Sequence, residues 1–94
     1  MQCDDSMNTI QSLRDCVQQC SDMGYIENKG VARALLSELD AAQAALDRGQ
    51  PAVAIADLQA FVQMVNAQAG VTIVQDHADH MVMHAQMVIQ GLGG

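Results

Sequence analysis

Leu46-Asp47-Arg48-Gly49-Gln50-Pro51 is the stretch that decides the fold, because one apolar-periodic run stops inside it and another starts. Gly49 can take the left-handed conformation that closes a helix, and Pro51 suits the first turn of the next, where its missing N–H has no intrahelical partner to lose. With so short a junction, the two helices must fold back on each other. Upstream, Val31, Leu35, Leu39, Ala42 and Leu46 recur in steps of three and four, the seam of a helix over 28–48 with Asn28 as its N-cap. Downstream, Pro51, Ile55, Leu58, Val62, Val65 and Ala69 mark a helix over 51–69 that ends at Gly70.

Two more helices flank this hairpin. Ile10, Leu13, Val17 and Cys20 share one face of a helix over 6–23, which Gly24 stops; residues 1–5 read as a disordered lead-in. Thr72, with Gln75 three positions on, has the pattern of a capping box that opens a helix over 72–91, and Asp76 adds favourable negative charge to its first turn. Val74, Ala78, Met81, Ala85, Val88 and Leu92 form its inward face. Val71-Thr72-Ile73-Val74 is apolar and β-branched, but it is short and has no pairing partner in sequence. Helices of this length joined by such short turns run antiparallel. The expectation is a single all-α domain over 1–94, an antiparallel up-down four-helix bundle.

Composition narrows the function. Eleven acidic against four basic residues give a net charge of −7, and only Tyr25 and Phe61 are aromatic, so a phosphate backbone would be repelled and would find little to stack on. Nucleic acid is excluded as a partner on that ground, and an anionic membrane surface is disfavoured by the same charge. No apolar run reaches the roughly 20 residues of a membrane span, so no membrane insertion is expected, and no signal peptide is legible. Fourteen alanines point to close helix packing, with Leu, Val, Ile and Met supplying the volume.

Residues 28–70, NKGVARALLSELDAAQAALDRGQPAVAIADLQAFVQMVNAQAG, carry a family resemblance. Asn28, Lys29 and Gly30 open the pattern; Leu39, Ala41, Ala42, Ala44, Leu46 and Gly49 follow; Ala54, Leu58, Ala60, Phe61, Val65 and Ala67 close it. This order and spacing resembles the FIMAH domain, a small helical module of secreted or surface-attached multidomain microbial proteins, and extends more loosely over residues 8–92. The resemblance implies a non-catalytic accessory or protein-interaction module, extracellular or at the cell surface. The chain departs from the pattern in its first helix, which carries cysteines, and in its fourth, which is rich in His and Met.

On the fourth helix, Asp76, His80, Met83, His84 and Met87 fall roughly opposite the inward stripe. Two imidazoles four residues apart can share one metal ion, and neighbouring thioethers favour copper, while imidazole serves copper and zinc alike. His80, Met83, His84 and Met87 equally form an adaptable surface for self-association or for a protein partner, which protonation of the imidazoles at about pH 6 would weaken unless Asp76 compensates. His77 sits at the edge of the core stripe beside Met81 and reads as a boundary residue.

Cys16 and Cys20 are one helical turn apart, and their Cβ atoms stand about 6 Å apart on an intact helix, too far for an unstrained disulfide. Cys20 reads as a buried small hydrophobe. Cys3 can fold back to bridge Cys16, or Cys16, Cys20 and Met23 can form a weaker, thiolate-based metal strip. Catalysis has little support: Glu38, Asp40 and Asp57 can approach one another across the central hairpin, but no Glu precedes a His at the spacing a di-iron centre needs.

Overall fold

The structure is a computed structural model that describes residues 9–93. Helix α1 spans Ile10–Asp22, α2 Lys29–Asp47, α3 Pro51–Gln68 and α4 Gln75–Gly91. The all-α expectation holds, and among the described residues the only extended pairing is a pair of isolated bridges at Ile73. The expected lead-in over 1–5 lies outside the described residues.

Each helix end follows from local chemistry. Thr9 is extended at φ −121°, ψ 157°, and its hydroxyl accepts from Ser12 N–H, while Ser12 Oγ accepts in return from Thr9 N–H. This capping box sets the start of α1 later than the Ser6 expected from periodicity. Asn28 caps α2 as expected, its Oδ1 accepting from the N–H groups of Gly30 and Val31 at 2.8 and 3.2 Å. At the central junction Gly49 has φ +74°, its N–H donates to Leu46 C=O, and Gln50 N–H donates back to Ala45 C=O. These two bonds close α2 in a Schellman turn, and Pro51 starts α3 directly behind it.

The opening of α4 differs from expectation. Val74 is its N-cap with no side-chain bond, because Thr72 Oγ1 donates to Gln68 Oε1 and the Gln75 amide turns forward to Asp79. Thr72 is instead part of a turn that binds the α1–α2 turn: Glu27 N–H donates to Thr72 C=O at 2.7 Å, and Val74 N–H to Tyr25 C=O at 3.0 Å. Ile26 and Ile73 are both buried at this junction. The Val71–Val74 segment therefore finds its partner in the other turn, far away in sequence.

Helix α1 packs on α2 and α4, and α3 packs on the same two, with the diagonal pairs apart. Ser12 lies against His84 and Cys20 against His77, so residue numbers rise along α1 as they fall along α4, and the two run antiparallel. The molecule measures 34 × 25 × 18 Å, its long axis accommodating one helix length of about 28 Å plus turns.

The core is built on Leu13, Leu35, Leu39, Leu58, Phe61 and Met81, all fully buried. The buried stripe of α3 is Ala54, Leu58, Phe61 and Val65, rotated from the expected one: Pro51 is exposed, and Ile55 and Val62 are half-buried at its edge. On α2, Ala32 and Ala45 are buried where Val31 and Leu46 were expected; those two pack half-buried against the core. A helix with two neighbours buries an arc wider than one stripe, and its centre falls between the two seams.

Candidate functional site

The widened arc matters most on α4. Its buried residues are Ala78, Met81, His84, Ala85 and Val88, and His84 is fully buried. The strip Asp76, His80, Met83, His84 and Met87 is thus divided: Asp76 and Met83 face solvent, His80 and Met87 are half-buried, and His84 is in the core. The corrected reading is that His84 belongs to the α1–α4 seam and cannot contribute to an outer interaction surface. One helix seen alone gives no sign of how far its second neighbour extends the buried arc.

In that seam α1 contributes Ser12, Cys16 and Cys20, one turn apart. Cys16, His80 and His84 come together, each offering a donor atom within 4.8 Å of the others. The two imidazole rings meet edge to face, centroids 6.2 Å apart at 84°. His80 Nε2 and His84 Nδ1 are both sealed from solvent. Ser12 Oγ lies 3.0 Å from His84 Nε2 and donates its own proton to Thr9 C=O at 2.9 Å. With that proton committed, Ser12 accepts from His84 Nε2–H, which puts the lone pair of the ring on Nδ1. A serine that belongs to the α1 cap thereby fixes the tautomer of a buried histidine on α4.

One turn further along the seam, His77 stacks on Tyr25 with centroids 4.0 Å apart and planes at 17°, and its Nδ1 is 3.9 Å from Cys20 Sγ. His77 is half-buried, the boundary residue expected. Cys20 is fully buried and not in a disulfide, and desolvation pushes its thiol up to about 11, so it stays protonated. Cys16 is also buried and is disulfide-bonded. The expected Cys3–Cys16 bridge has its other end in Cys3, outside the described residues. Cys16 and Cys20 are not joined to each other, and Met23, at the end of that strip, is 53% exposed.

Among the described residues, Glu38, Asp40 and Asp57 do not come together as a cluster of three. Asp40 turns to α1, where its Oδ1 accepts from Arg14 Nε at 2.8 Å, and that bond raises the guanidinium pKa further. A groove between α3 and α4 of about 600 Å³ is lined by Gln59, Val62, Gln63, Gln86, Ile89 and Gln90, with no titratable group among them. Sequence reasoning missed Ser12 as the partner of His84. The signal was there in its spacing, four residues before Cys16 on the same face.

The FIMAH domain model matches residues 10–90 of the chain. No curated protein and no solved structure matches it.

Proposed function

We propose, from the premise that this chain belongs to the FIMAH domain family, that this small accessory module docks protein surfaces as part of a larger exported or surface protein. The observation that carries the docking role is the end of the bundle where the two turns meet. Met23, Val71 and Val74 are 53%, 69% and 46% exposed there, on turns tied together by the Glu27–Thr72 and Tyr25–Val74 bonds. A rigid, apolar tip of this kind suits contact with a neighbouring protein domain or a second copy. It replaces the His/Met strip as the proposed interaction surface, since His84 is buried.

One observation supports export. Disulfides such as that at Cys16 persist in oxidising compartments. No helix among the described residues is long and apolar enough to cross a membrane.

The test is a photo-crosslinking side chain placed at Val71 and, separately, at Gln63 on the exposed face of α3, in cells that produce the protein. A discrete protein adduct from position 71, absent from position 63 and lost on Val74→Glu, is the expected result. Equal adducts at both positions, or none at 71, would overturn the turn end as a docking surface.

A further inference from the structure

We propose that Cys16, His80 and His84 form a redox-gated binding site for a d10 metal cation, Zn(II) or Cu(I), in the α1–α4 seam. The donor set is one sulfur and two imidazole nitrogens, a chemistry that both ions accept. Metal–ligand bonds of about 2.0–2.3 Å place donors within roughly 4 Å of one another, so the observed 4.8 Å limit calls only for a small side-chain closure.

The site is pre-organised in a way an accidental cluster is not. His84 is held in the core, its Nε2–H bonded to Ser12 Oγ, so Nδ1 carries the lone pair in a fixed ring orientation. A hydrogen bond to the remote nitrogen of a histidine is the arrangement by which proteins orient metal-binding imidazoles. His80 supplies the second nitrogen from the partly buried edge of the seam, where a small movement of its ring would admit the ion. A net charge of −7 over the chain favours cation approach.

The disulfide at Cys16 sets the gate. A disulfide sulfur is not a thiolate, so in the oxidised form the site lacks its anionic ligand. A dithiol reductant opens it by exchange: the S–S bond at Cys16 breaks, two electrons and two protons pass from the reductant to give two thiols, and the reductant becomes a disulfide. Metal binding then releases the Cys16 thiol proton and forms the metal–sulfur bond. Cys20, one turn away and protonated beside His77, takes no part.

The experiment uses the full chain, oxidised and phosphine-reduced, titrated without oxygen with Zn(II), with Cu(I) against a chromophoric chelator, and with Co(II) as a spectroscopic stand-in. One equivalent should bind the reduced chain, with a sulfur-to-cobalt charge-transfer band, and the oxidised chain should bind at least about tenfold more weakly. The zinc and copper titrations decide which ion is preferred. Cys16→Ser should abolish the band, His80→Ala should weaken binding by more than about 100-fold, and Ser12→Ala by roughly 10–100-fold. Met83→Leu should leave affinity unchanged. Circular dichroism accompanies each variant, and His80→Ala, at the rim, decides the outcome where a buried variant fails to fold. Equal affinity in both redox states, wild-type binding by His80→Ala, or a loss in Met83→Leu matched by none in Cys16→Ser would overturn the proposal.

Discussion

Single side chains divide sharply into those whose environment the sequence disclosed and those it did not. Cys20 was legible, because it shares a helical face with Leu13 and Val17 and is buried with them. Its raised pKa has a consequence at alkaline pH. The folded state holds the neutral thiol up to about pH 11, whereas the unfolded chain ionises at its ordinary 9.0. The stabilisation is therefore fully present below pH 9 and is lost as pH rises toward 11. Unfolding free energy measured by urea titration should fall more steeply across this window in the wild type than in Cys20→Ala. Parallel curves would show that the thiol is not desolvated. His84 was not legible, since a polar residue opposite the main stripe is by default a surface residue. Ser12 across the seam helps make its burial tolerable, because a buried imidazole without a hydrogen bond is costly.

The helices themselves were readable almost to their ends. Asn28, Gly49 and Pro51 do their work through bonds within a few residues, so a linear reading finds them. The start of α4 escaped because Thr72 had a competing partner in Gln68 and its own carbonyl was claimed by Glu27. Glycines at two helix ends give a paired prediction. A Cβ at Gly49 meets nothing within 4 Å, yet its φ of +74° strains any L residue, so Gly49→Ala should cost about 1 kcal/mol. Gly91 also has open space around it and lies within α4, so Gly91→Ala should stabilise by up to about 1 kcal/mol. Denaturant midpoints that shift in the same direction would contradict this account of the two turns.

Across the molecule, four amphipathic helices with short connections have few ways to bury their apolar faces, and the bundle follows. Ile73 shows what such reasoning leaves out. It sits in a turn of the chain, yet it is 1% exposed and pairs with Ile26 across the end of the bundle. Ile73→Ala should cost about 2–5 kcal/mol, as for a core position, while Val71→Ala in the same turn should change stability by less than about 0.5 kcal/mol. Similar small losses in both would mean that the two turns do not act as a packed unit. The sequence by itself determined the helices, the sharp reversal at Gly49-Gln50-Pro51 and the family, because caps, turns and apolar periodicity act over a few residues. Only the tertiary structure decided the width of each buried arc, the pairing of distant turns and the meeting of Cys16 with His80 and His84. Those depend on which neighbours flank a helix and at what register, and contacts across more than forty residues of chain leave no periodic trace.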